Sequence, residues 1–182
     1  MKVSKIKFSL LVGILIAVMV IPVFAASIST DGGSATVPVE LTVSTATFSV
    51  TVPTALPITV DAVGNVSTAD NVYIENNSHG AVCVTDMSID GVNGWEIVNY
   101  DTVDMVKQKV GAKKISMMIN GDKTTADDTI TFTSSNFPVM DGMNDSDTDK
   151  LKITYSAKLP AQIVALAQET VANIVFVVGW DS

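Results

Sequence analysis

Residues 47–90 of the chain, TFSVTVPTALPITVDAVGNVSTADNVYIENNSHGAVCVTDMSID, decide its fold. Short runs rich in β-branched and aromatic residues are separated here by Pro, Gly-Asn, Asn-Asn and His-Gly, a pattern typical of an antiparallel sheet. The predicted strands span residues 48–52, 56–60, 72–74 and 82–89. In the last of them the apolar phase shifts between Val84 and Met87, which predicts a bulge or a bend between two sheets.

The chain beyond this stretch continues the same pattern. Apolar residues alternate with polar ones over residues 115–119 and 151–157, as in strands with one buried face. Trp95 follows a Gly-containing turn and is predicted to anchor the core. Residues 173–180 are apolar at almost every position, which is typical of a strand buried on both faces in the middle of a sheet.

The number and spacing of these runs predict an all-β fold. Eight to ten strands over residues 35–182 indicate a single antiparallel β-sandwich of the jelly-roll or immunoglobulin-like type. Residues 160–170 begin with proline and continue with good helix formers, so they predict one short helix, with an extended connection as the alternative.

The first 25 residues have the form of a secretory signal peptide. Lys2, Lys5 and Lys7 precede an uncharged apolar run over residues 8–24, and small residues precede a cleavage site after Ala25. A membrane anchor is the alternative, because 17 apolar residues are near the lower limit for a span. Cleavage would leave a flexible tether, residues 26–34, before the domain. The sequence therefore predicts a secreted protein, extracellular or attached to the cell surface.

Charge excludes several partners. Every one of the 11 basic residues is a lysine, against 19 acidic residues. Without the signal peptide eight lysines remain, so the net charge is −11. Because nucleic acid and anionic lipid surfaces bind basic patches, we expect no nucleic-acid partner and no membrane partner after signal removal.

The inventory of reactive side chains argues against an enzyme. His79 is the only histidine and Cys83 the only cysteine, whereas catalytic zinc sites and Ser-His-Asp triads need histidine at defined positions. His79 lies in a turn-like Asn-Asn-Ser-His-Gly run, where polar residues collect. Cys83 lies in a strand-like run, where a packed thiol is expected and an intermolecular disulfide is the alternative.

Residues 141–149, DGMNDSDTD, form an acidic cluster. Its last three acids alternate as the oxygen ligands of calcium loops do, but Lys150 and Ser156 replace the glycine and the glutamate that an EF-hand requires. The cluster is either a hydrated acidic loop or a weak calcium site. The candidate calcium ligands are Asp141, Asp145, Asp147 and Asp149. No other cofactor is predicted.

Residues 35–43, ATVPVELTV, alternate apolar and polar residues and predict a half-buried strand. Pro38 cannot donate to a sheet ladder, so this strand belongs at an edge. Because it follows a flexible tether, it either closes its own sheet or pairs with a neighbouring subunit. The side chains that would be donated are Val37, Val39, Leu41 and Val43.

The layout of the chain resembles that of a known family. It is similar to the layout of secreted Gram-positive surface proteins of the TasA and camelysin type. The shared features are the signal peptide, the tethered strand, the short proline-containing strands, the Asn-Asn-Ser-His-Gly turn and a last strand ending in Val-Val-Gly-Trp-Asp. That resemblance implies a β-sandwich that assembles into biofilm fibres. The aromatic-rich segment that those proteins carry after the signal is missing here.

These observations predict a non-enzymatic structural protein of the cell surface or extracellular matrix. We expect a homo-oligomer or polymer, such as a fibre or pilus assembled by strand donation. The alternative is a monomeric binding module for a wall polymer, a glycan or a cell-surface protein, stabilised by calcium in the acidic cluster.

Overall fold

The computed structural model describes residues 39, 41–61, 65–126, 128–143, 147–163 and 165–182. The chain divides into two compact units, Met1–Val43 and Ser44–Ser182. The predicted signal peptide, the tether, Val37 and Asp145 lie outside the described residues. Among the helices of the described ranges, none has the length and apolar character needed to cross a membrane.

The second unit is built from strands, and the predicted all-β class is confirmed. Two short 3-10 helices, Met105–Lys107 and Ser134–Asn136, are the helical elements among the described residues. The strands are β1 Val50–Thr51, β2 Ile58–Val60, β3 Val66–Thr68, β4 Tyr73–Asn76, β5 Val82–Gly91, β6 Glu96–Ile97, β7 Lys114–Ile119, β8 Asp122–Lys123, β9 Lys150–Lys152, β10 Tyr155–Lys158 and β11 Ala172–Trp180.

These eleven described strands pair in four small sheets. Their orders are β1-β4-β9, β10-β7-β6 with β8 added to β7, β11-β5, and β2-β3. The pairs are antiparallel except β6 with β7, which is parallel. The described residues therefore form one strand more than the upper limit of the predicted eight to ten.

Alternating apolar residues from the sheets meet in one buried cluster. The predicted alternation over residues 151–157 is confirmed, because Leu151, Ile153, Tyr155 and Ala157 are all buried. The chain changes sheets in the middle of this run, since β9 pairs with β4 whereas β10 pairs with β7. Trp95 is buried in the same cluster, as predicted.

The predicted bulge in β5 is confirmed. Val177 of β11 pairs with Asp86, and the next residue, Val178, pairs with Val84. Thr85 is thus the extra residue on β5, and it accounts for the phase shift in the sequence.

The predicted helix at residues 160–170 is wrong for the part of that segment that is described. The chain there is irregular, and Gly111 N donates to Ala161 O at 2.8 Å. Ile163 and Leu166 remain exposed. Helices in proteins are stabilised mainly by packing an apolar face, and these side chains find no such partner.

The predicted mid-sheet position of residues 173–180 is also wrong. Among the described strands, β11 pairs with β5 alone. Val175 and Val177 on its outer face keep 51% and 47% of their surface exposed. Within the described part of the chain, this apolar strand therefore has one edge without a paired strand, called its open edge below, and one exposed face.

Candidate functional site

The described part of the tethered segment is exposed. Val39, Leu41 and Val43 keep 94%, 82% and 73% of their surface accessible, and residues 39 and 41–43 belong to no strand. The strand predicted for residues 35–43 is therefore not formed at these positions. Apolar side chains at alternate positions are left in water.

The backbone of β11 shows which of its polar groups lie at the open edge. Val171 O accepts from Val92 N at 3.1 Å, and Asp181 N donates to Ala81 O at 3.0 Å, so residues 171 and 181 turn their polar groups towards the β5 side. Successive residues of a strand direct these groups to alternate sides. The N–H and C=O groups of Ile174, Phe176 and Val178 therefore lie at the edge away from β5.

The side chains of those same residues face the core but are only half-buried. Ile174, Phe176 and Val178 pack against the apolar cluster, whereas Val84, Met87 and Ile89 on the paired strand β5 are fully buried. At its first residue β5 also has a neighbour on the other side, because Val82 bridges to Met140. β11 is covered on one side by the described residues.

Aromatic rings pack together in the core next to β11. The Phe176 ring lies 6.4 Å from that of Phe137, which in turn stacks on Phe132 at 5.4 Å between centroids. Phe132 is half-buried like Phe176.

Natural edge strands are usually protected from further pairing by charged residues, proline or short length. β11 is nine residues long and contains no charged residue and no proline. Its edge is therefore suited to pairing with another strand.

The acidic cluster is only partly assembled by the fold. Asp141 is exposed, Asp147 is 3.6 Å from Lys150 Nζ, and Asp149 is buried. Within the ranges that the structure describes, no group of three or more His, Cys, Asp or Glu side chains is arranged to hold a metal ion. The calcium hypothesis for Asp141, Asp145, Asp147 and Asp149 stays a prediction.

The two reactive side chains lie in the turn before β5 and on β5 itself. His79 is exposed in the turn between β4 and β5. Cys83 is a half-buried free thiol on β5, paired across the sheet with Gly179.

One open depression of about 420 Å³ lies beside β4. Val52, Pro53 and Tyr73 are among the residues that line it. Thr51, Thr54, Asn71 and Glu75 add polar groups to its lining, and the depression is wide open to solvent.

Sequence reasoning singled out residues 35–43 but predicted a half-buried strand there, and it did not identify the surface beside β11. The apolar composition of residues 173–180 was the available signal, and it predicted a strand with two neighbours. Comparisons of the chain with protein-family models, with curated proteins and with solved structures found no match.

Proposed function

We propose that this protein is a secreted, non-enzymatic structural subunit that assembles into fibres at the cell surface by strand donation. The observation that carries the proposal is the exposure of Val39, Leu41 and Val43 in a segment without strand pairing. Burying one such side chain contributes roughly 1.5–3 kcal/mol. Insertion of the segment into a second subunit would supply that burial.

Strand donation gives a polymer because the contact is heterologous. The donated segment and the surface that receives it are different parts of the molecule, so each subunit offers one of each. A contact of this kind continues head to tail unless its rotation closes a ring. The layout that this sequence shares with TasA and camelysin-type proteins agrees with assembly into fibres.

The proposal includes the compartment and the finer fold. Removal of residues 1–25 would free the tether and the segment behind it, and the excess of acidic residues suits a mutually repelling secreted subunit. We propose that the sheets around the single apolar cluster form one sandwich of jelly-roll or immunoglobulin-like type.

The test compares residues 26–182 with a variant that lacks residues 26–44. The second unit begins at Ser44, so the deletion leaves its core and strands in place. We expect filaments by electron microscopy from the longer protein and monomers by sedimentation from the shorter one. Filaments that persist after the deletion would contradict strand donation.

A second candidate function is a monomeric binding module for a wall polymer, a glycan or a surface protein. The open depression beside Tyr73, with its mixed apolar and polar lining, is the observation that favours it. This candidate predicts a monomer at all concentrations and binding that is lost in Tyr73→Ala. Calcium in the acidic cluster would then raise the melting temperature.

A further inference from the structure

We propose that the open edge of β11 is the surface that accepts the donated strand, and that residues 35–43 of a second copy lie antiparallel beside it. This inference rests on the proposed function and names the partner surface. It makes β11 a mid-sheet strand in the assembled protein. The composition of residues 173–180 is then that of a strand with two neighbours.

The first support is the pattern of burial along β11. Ile174, Phe176 and Val178 face the core yet are half-buried, whereas the facing residues of β5 are fully buried. A further strand beside β11 would cover these three side chains. It would also pair the backbone N–H and C=O groups that they place at the open edge.

The second support is the match between the two segments. Residues 35–43 and β11 are each nine residues long. In full overlap, Val39 would lie opposite Phe176 and Leu41 opposite Ile174. The four alternating apolar residues of the donor would then continue the inner face of β11.

Pro38 determines the orientation. The Pro38 nitrogen has no hydrogen to donate, so the backbone polar groups of residue 38 must point away from β11. The N–H and C=O groups of the odd-numbered donor residues must then point towards β11. Those odd-numbered residues are also the apolar ones that face the core. In β11, too, the core-facing residues place their N–H and C=O groups at the shared edge. Core-facing residues of the two strands can lie opposite each other and exchange hydrogen bonds only if the strands are antiparallel.

The donor would also protect the edge that remains. After docking, the outermost strand carries Pro38 and Glu40, and proline and charge are two of the devices that prevent further pairing. β11 has neither. Addition of one strand would therefore end sheet growth in this direction, while the polymer continues through the next subunit.

Disulfide trapping tests the arrangement in the mature protein with Cys83→Ser as background. Thr42→Cys is combined in turn with Asn173→Cys or Val175→Cys, which cover full overlap and a shift of two residues. In either register the two cysteines would form a non-hydrogen-bonded antiparallel pair on the outer face. The Cα atoms of such a pair lie about 4.5 Å apart, which is close enough for a disulfide. We expect a ladder of covalent oligomers from at least one of these two pairs after mild oxidation.

Two matched controls use the same donor cysteine. Asp90 pairs with Asn173 from the next strand, so Asp90→Cys would lie about 9–10 Å from the donor and beyond the roughly 7 Å limit for a disulfide. Gly179→Cys lies at the far end of β11 and would be reached only by a parallel donor. We expect no ladder from either control.

The outcomes separate this inference from the proposed function. Filaments that form without a ladder at Asn173 or Val175, or with a ladder at Asp90 or Gly179, would overturn the arrangement on β11 and leave strand donation standing. A parent protein that forms no filaments would instead overturn the proposed function.

Discussion

The buried side chain of Asn76 donates from Nδ2 to the main-chain oxygen of Asp141 at 2.7 Å, across 65 positions of the sequence. The same nitrogen donates to Gly80 O at 2.8 Å, and Oδ1 accepts from Ser78 N at 2.9 Å. One amide thus joins the turn after β4 to the start of the acidic cluster. These hydrogen bonds hold this end of the loop in place.

Asn76→Ala removes these hydrogen bonds and leaves buried main-chain groups without partners. Each unsatisfied group costs about 1–3 kcal/mol, so we expect the free energy of unfolding to fall by roughly 3 kcal/mol or more. Urea denaturation measures the change. Asn77→Ala is the matched control, because the Asn77 side chain is exposed and bonds to Thr51 Oγ1, and we expect a loss of at most about 1 kcal/mol.

Substitutions in the exposed segment should separate assembly from folding. Val39→Asp with Leu41→Asp should change the stability of the monomer by no more than about 0.5 kcal/mol, because both side chains are exposed. The same variant should form no filaments, since charges would have to be buried beside β11.

Ile74→Ala provides the opposite case, because Ile74 is fully buried in the core. It should cost about 2–5 kcal/mol of stability through the cavity that it leaves. Chemical denaturation and light scattering on both variants make the comparison. A double Asp variant that still polymerises would contradict the role given to Val39 and Leu41.

Gly91 is at a position where a side chain has no room. A Cβ there would lie 2.2 Å from the main-chain oxygen of Trp95, which cannot move without displacing the buried indole. Gly91→Ala should therefore destabilise the protein by about 1–3 kcal/mol or more, measured by thermal unfolding.

Gly179→Ala is the control for this substitution. Its Cβ would approach Thr85 Cγ2 at an ordinary 3.6 Å. We expect a change of less than about 1 kcal/mol. Equal effects of the two substitutions would show that the close approach at Gly91 relaxes without cost.

Calcium should not be needed for folding if the acidic cluster is a hydrated loop. We expect the mature protein to have the same melting temperature in about 5 mM calcium and in a chelator. Weak extracellular calcium sites have dissociation constants on the order of a millimolar, so this concentration would fill such a site. Titration calorimetry gives a second readout. Heat that is lost when Asp147 and Asp149 are both changed to Asn would instead support the predicted calcium site.

Local sequence patterns predicted correctly those features that do not depend on which element packs alongside. The alternation over residues 151–157 predicted buried residues correctly, because side chains on a strand alternate faces whatever the partner strand is. The phase shift between Val84 and Met87 predicted a bulge or a bend, and the structure has a bulge there, with Thr85 as the extra residue. The helix predicted at residues 160–170 was wrong, because composition favours a helix only if its apolar face finds a surface to pack on.

The sequence by itself determined that the chain forms strands, that Trp95 and the alternating apolar residues enter a core, and that residues 35–43 alternate as a strand does. Only the tertiary structure decided which strands are neighbours. Residues 173–180 have the composition of a mid-sheet strand, yet β11 pairs with β5 alone among the described strands. The physical reason is that strand pairing joins residues far apart in sequence, so a local pattern specifies buried faces without specifying the chain that covers them.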